Sequence, residues 1–182
     1  MSKGVTFNDN KGPITIVDES KFSRPSILGK LIEIIAASEQ TEINLDRDPA
    51  EIEVKINFNH LKNNTWIIEE YVEASLLIDE SIEALNQTIM NGSTKLKRQM
   101  KSFYNRALDK YSIKKSPFEL DKLKMHSDLI VEDVISSTKN FVKKSADLKQ
   151  GYYEEDIDYG VTLITSYSII ECIVLENPND HN

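Results

Sequence analysis

This chain encodes a mainly α-helical domain: a bundle of about five helices with a small N-terminal β-hairpin, and with a third short strand left open. Three observations lead there. Apolar residues recur at helical spacing over long stretches, as in Ile67, Tyr71, Ala74, Ile78, Ile82, Leu85 and Ile89. Gly (6) and Pro (5) are too scarce for the many turns of a β-sandwich. Strict alternation is confined to a few short runs. The 182 residues suit one domain, large enough to bury a core without disulfides. Three regions are expected: a β-hairpin leader over 1–23, a helical domain over 24–176 and a frayed tail over 177–182.

Val5-Thr6-Phe7 and Ile14-Thr15-Ile16-Val17 flank the turn-rich Asn8-Asp9-Asn10-Lys11-Gly12-Pro13, which predicts a hairpin. An isolated hairpin is marginal in water, so this one needs a surface to pack on. Pro25 opens the first helix, where a missing N–H costs nothing. Ile27, Leu28, Leu31, Ile32, Ile34 and Ile35 give it a wide apolar face up to about Ser38, so it should be central.

After a polar connector, Ile52, Val54, Ile56 and Phe58 alternate with Glu51, Glu53, Lys55 and Asn57. A period of two predicts a strand, available to pair with the hairpin. Asn63-Asn64-Thr65 offers capping groups for the next helix, and Asn91-Gly92 supplies its stop. Leu96, Met100, Phe103, Tyr104, Ala107 and Tyr111 mark a helix antiparallel to it.

In Ser116-Pro117-Phe118-Glu119, the serine can cap, the proline fits the first helical position, and Glu119 completes a capping box. The helix it opens runs through Leu123, Ile130, Val131, Val134, Phe141 and Val142 to Gly151, with Ser136-Ser137-Thr138 weakening its middle. From Asp156 to Leu175 two patterns compete. Glu154, Glu155 and Asp156 suit a helix N-terminus, and Ile157, Val161, Ile164, Ser168 and Cys172 form a helical stripe. Gly160 and the β-branched content favour a strand. Helix is the reading adopted, because the bundle otherwise lacks a wall.

Composition narrows function. A 40% hydrophobic and 29% charged chain is not disordered throughout, and a net charge of −8 repels nucleic acid over most of the surface. The single cysteine, Cys172, excludes an internal disulfide and reads as a small buried hydrophobe; a reducing compartment follows. No signal-peptide-like run opens the chain, and Tyr159 to Leu175 is too short and polar for a membrane span, so a cytoplasmic protein is expected. His60, His126 and His181 lack metal-ligand spacing and read as surface residues. No phosphate-binding glycine loop or nucleophile elbow occurs. The pairs Glu69-Glu70, Glu154-Glu155 and Asp156/Asp158 read as solvated carboxylates. No catalytic residue, cofactor or metal is therefore expected.

Charge is unevenly distributed. Lys95, Lys97, Arg98, Lys101, Arg106, Lys110, Lys114 and Lys115 share a segment whose only acid is Asp109. Lys97, Arg98, Lys101, Arg106 and Lys110 lie off the apolar stripe: an ordinary solvated face, a contact for an acidic protein, or a phosphate-binding surface. Trp66, Tyr71, Tyr104 and Tyr111 sit at core spacing, whereas Tyr152 and Tyr153, with Phe7, Ile14 and Ile16 of the hairpin, are candidate protein contacts.

The stretch from Glu51 to Tyr111 resembles a helical C-terminal module of prokaryotic conflict systems, notably the ABC-ATPase three-component systems. Its extended "K-I-x-F/Y-N" element reads here Lys55-Ile56-Asn57-Phe58-Asn59, and its "I-I-x-E-Y" helix reads Ile67-Ile68-Glu69-Glu70-Tyr71. A basic helix ending in an aromatic follows, as Lys97 to Tyr111 does here, and Ile169 to Pro178 looks like the module's close. FNDNKGPITIVD resembles the β-hairpin leaders that precede such modules. The resemblance implies a docking module. Lacking a fused effector, this chain is expected to be a non-catalytic adaptor subunit of an antiviral or anti-plasmid defence complex. The implied partners are other subunits, among them an SMC-like or ABC-type ATPase and a nuclease effector, with a homo-oligomer left open. The alternative is a nucleic-acid-associated accessory protein acting through 95–115.

Overall fold

The computed structural model describes residues 24–38, 49–148 and 151–181. Among them are six α-helices: α1 (Ile27–Ala37), α2 (Pro49–Asn59), α3 (Trp66–Thr88), α4 (Gly92–Lys110), α5 (Leu120–Val142) and α6 (Glu154–Ile170). The hairpin expected before residue 24 lies outside the described residues.

α6 forms the centre of the bundle and contacts α1, α3, α4 and α5. From Gly160 to Ile170 every side chain is buried. This resolves the competing patterns in favour of a helix from Asp156 as far as Ile170, beyond which 171–175 form a turn: a helix enclosed on all sides has no polar face to mark its period. Three of its hydroxyls are buried at little loss because they bond within the helix, whereas Thr165 Oγ1 is buried without a partner among the described residues. Thr162 donates to Asp158 O (2.9 Å), Ser166 to Leu163 O (2.9 Å) and Ser168 to Ile164 O (2.7 Å). The N-terminus is closed by Asp156, whose Oδ2 accepts from Tyr153 N at 3.0 Å.

α1 buries Leu28, Leu31, Ile32 and Ile35, as its apolar face predicts. It starts one residue after Ser26, whose Oγ accepts from Gly29 N at 2.9 Å. Asp147, beyond α5, ties this end down by accepting from Ser26 N and Ser145 Oγ, both at 2.6 Å. α1 and α6 pack closely: a Cβ on Gly160 would lie 2.8 Å from Ile32 Cγ1.

The expected strand at 52–58 is helical. Burial falls on Ile52, Lys55 and Asn59, spaced three and four apart, while Val54 is 56% exposed. Asn59 decides this locally. Its Nδ2 donates to Lys55 O and Glu176 O, and its Oδ1 accepts from Glu176 N, all at 2.9 Å. The fully buried amide thus closes the last turn of α2 and pairs with the chain beyond α6. A strand would instead bring Val54 inward and leave Asn59 with the wrong neighbours.

Three helix ends differ from expectation. Asn91 and Gly92 do not end α3, which stops at Thr88; Asn91 adopts φ 58° and begins α4. α5 starts at Leu120, not Pro117, because Oε2 of Glu119 accepts from Lys114 N at 2.7 Å and is not available for a capping box. It also ends at Val142, well before Gly151, where Ser145 turns back to accompany α1. Asp128 of α5, rather than a local residue, caps the approach to α3, accepting from the backbone N–H groups of Lys62, Asn63 and Asn64. The tail expected to fray carries a 3-10 turn, Pro178–His181. There His181 stacks near Phe58 and Phe118, each with ring centroids 5.7 Å away.

Candidate functional site

α4 turns Leu96, Met100, Phe103, Tyr104, Ala107 and Leu108 inward, which leaves its cations on the outer face. Lys95, Lys97, Arg98, Lys101, Arg106 and Lys110 are all exposed there. From Lys97 to Lys110 the stripe extends about 20 Å at a helical rise of 1.5 Å per residue.

Its ends are tied to the protein's own acids. Lys97 Nζ donates to Glu171 Oε2 at 3.1 Å, and Lys110 Nζ to Asp133 Oδ1 at 2.7 Å. The Asp133 hydrogen bond raises the pKa of Lys110 above the ordinary lysine value. Lys101 Nζ lies over the Tyr104 ring, 4.8 Å from its centroid. Arg98 and Arg106 make no ion pair among the described residues, so the middle of the stripe presents guanidinium groups outward. Beneath it, Tyr104 OH donates to Glu176 Oε1 at 2.9 Å; burial first, then the Glu176 charge, pushes its pKa well above the usual tyrosine value.

The candidate protein contacts are not gathered into one site. Tyr153 is 75% exposed at the start of α6, while Tyr152 is half-buried. Glu171, the partner of Lys97, follows the other end of α6, about 25 Å along the helix axis. Phe7, Ile14 and Ile16 lie outside the described residues. Of the aromatics expected in the core, Tyr71 and Tyr104 are buried, but Trp66 is 45% exposed.

A second feature was not foreseen. Glu51, Ile52, Val54 and Lys55 of α2 face Ile170, Cys172, Asn177, Pro178 and Asn179 across a cleft of about 450 Å³. Lys55 is only 6% exposed, and its Nζ has no hydrogen-bond partner among the described residues. Burial holds its pKa below the ordinary lysine value, opposed by the Cys172 thiol and by the charges of Glu176 and Glu171. Cys172 is half-buried, not fully buried as expected, and has φ 55°. It occupies the left-handed position just past the α6 C-cap: Cys172 N donates to Ile169 O (3.1 Å) and Ile173 N to Ser168 O (2.9 Å). The alternating pattern hid this cleft by assigning Lys55 to a solvated strand face. The one available signal was a lysine at helical spacing between Ile52 and Asn59.

No group of three His, Cys, Asp or Glu among the described residues is placed to hold a metal. No described helix is long and apolar enough to cross a membrane. Compared with known protein families, curated proteins and solved structures, the chain matches none.

Proposed function

We propose that the chain is a non-catalytic, cytoplasmic adaptor subunit of a multi-protein bacterial antiviral or anti-plasmid defence complex. It docks on an acidic surface of a partner through the outer face of α4. One observation carries the docking mode: a chain of net charge −8 concentrates cations along one helix, with Arg98 and Arg106 outside any ion pair among the described residues. Guanidinium groups present several planar donors and suit carboxylate partners. The sequence resemblance of 51–111 to docking modules supplies the defence setting, with an ABC-type or SMC-like ATPase and a nuclease effector as partners, although the stretch matched to the module's extended element, Lys55 to Asn59, is helical here.

The test is co-expression with the products of the flanking genes, followed by size-exclusion chromatography with light scattering. A stable complex that R98E/R106E abolishes supports the reading. A chain that stays alone with every neighbouring product ends it. The second reading, phosphate binding, is favoured by the grouping of Lys97, Arg98 and Lys101 within little more than one helical turn. It requires a salt-sensitive, sequence-independent gel shift. No shift at low salt removes it.

A further inference from the structure

The cleft between α2 and the turn after α6 holds a buried cation whose Nζ has no hydrogen-bond acceptor among the described residues, with the Cys172 thiol and the charges of Glu176 and Glu171 only partly offsetting its burial. Lys55 lines this space, is 6% exposed, and offers an Nζ with no hydrogen bond among the described residues. Lysine is rarely buried unless paired. The negative end of α6 lies in the same wall at Ile170, which favours a positive charge nearby but accepts no hydrogen bond from the ammonium. The wall is also held at a conformational cost. Cys172 occupies a left-handed position, φ 55°, where glycine is the usual residue. Asn59 clamps the two sides together through its three bonds to Lys55 O and to the backbone of Glu176. Apolar surface completes the cleft: Ile52, Ile170, Pro178 and Val54, the last 56% exposed.

We propose that this cleft binds a small organic anion, a carboxylate joined to a short apolar body, with Lys55 as the counter-charge. Without ligand the ammonium is turned into the wall. Its four-carbon stem is flexible enough to bring it to an anion in the cleft, where the carboxylate supplies the missing acceptor. The apolar body displaces water from Ile52, Val54, Ile170 and Pro178. One lysine matches one carboxylate. Glu51 on the rim disfavours a phosphate dianion, which also asks for more donors than this wall presents. Neither catalysis nor the adaptor reading is required for this binding.

Hexanoate is the probe, with hexanol as its uncharged counterpart and inorganic phosphate as an anion without an apolar body. The uniformly labelled full chain is titrated, and amide shifts are followed at Ile52–Lys55 and Ile170–Val174. Hexanoate should bind there with a dissociation constant of order 1 mM, a reasonable affinity for so small a ligand. Hexanol should be at least about tenfold weaker, and K55M should weaken hexanoate by a similar factor. Hexanoate should also slow alkylation of Cys172 by iodoacetamide, since the thiol lines the same space. Equal binding of hexanol, phosphate as tight as hexanoate, or absence of shifts with all three overturns the proposal. The hexanoate–hexanol comparison uses the unaltered protein and stands even if K55M folds poorly.

Discussion

Replacing Lys55 with methionine should make this protein more stable. The change keeps most of the side-chain volume and removes an amine whose Nζ is buried without a hydrogen-bond partner among the described residues. At neutral pH the native state can keep the charge buried or release the proton. Release costs about 1.36 kcal/mol per pH unit below the ordinary lysine pKa of about 10.4, hence about 4.6 kcal/mol at pH 7, and this is the ceiling on the penalty. Cys172, Glu176 and Glu171 offset part of it. Apolar replacement of buried ionic groups often stabilises proteins by about 1–4 kcal/mol, and the offset places K55M at about 1–3 kcal/mol. For a chain of this size each kcal/mol moves Tm by about 2–4 °C.

The pH dependence follows from the direction of the shift. Burial lowers the Lys55 pKa in the native state. Between that lowered value and the unfolded value of about 10.4, the unfolded chain binds more protons, so wild-type stability rises with pH across this window. K55M lacks this contribution, and its advantage should narrow as pH rises above the lowered native value and close beyond about pH 10.4. Glu51, Cys172, Glu171 and Glu176 face the site in both proteins, so the comparison isolates the lysine. Urea unfolding of the two proteins at matched pH values measures the gap. K55M less stable by about 1 kcal/mol or more, with a gap indifferent to pH, would mean that the ammonium has a good partner and is not a burden on the fold.

Four further outcomes can be checked by the same unfolding measurements. N59A should cost about 2–4 kcal/mol, because it orphans the backbone N–H and C=O of Glu176 and frees Lys55 O; a loss below about 1 kcal/mol would mean that α2 is not anchored there. G160A should destabilise by about 0–2 kcal/mol: overpacking against Ile32 Cγ1 at 2.8 Å outweighs the gain in helix propensity. Clear stabilisation would show that α1 yields easily. C172G should stabilise by about 1 kcal/mol by relieving the left-handed backbone, and unchanged stability would mean that the thiol contributes packing of equal worth. R98E/R106E should leave stability within about 0.5 kcal/mol of wild type, since both residues are exposed; a larger loss would reveal a structural role for the stripe.

How legible each part was depended on how one-sided its surroundings are. α1 and α4 have one apolar and one polar face, so their positions and inward residues could be read directly. The stripe on α4 was equally legible, since exposed cations off an apolar face need no tertiary information. What sequence missed there was that Glu171 and Asp133 engage Lys97 and Lys110, because both acids are remote in the chain. α6 was ambiguous because enclosure on all sides erases periodicity. α2 was misread because its alternation of apolar residues was stronger than its helical stripe, in which two of the buried positions are Lys55 and Asn59. The capping box at Ser116–Glu119 failed for a local reason, since Lys114 N claims the Glu119 carboxylate.

By itself, the order of side chains determined a helical protein with an acidic body, a basic helix face and an apolar first helix, because each follows from short-range periodicity and charge. Packing alone chose helix over strand at α2, enclosed α6, and set Lys55 beside Cys172 in a cleft. Those outcomes depend on contacts such as Asn59 to Glu176, more than a hundred residues apart in the chain. Local propensity carries no record of which distant backbone group a buried amide will meet, and it is the need to satisfy that amide that settles the fold there.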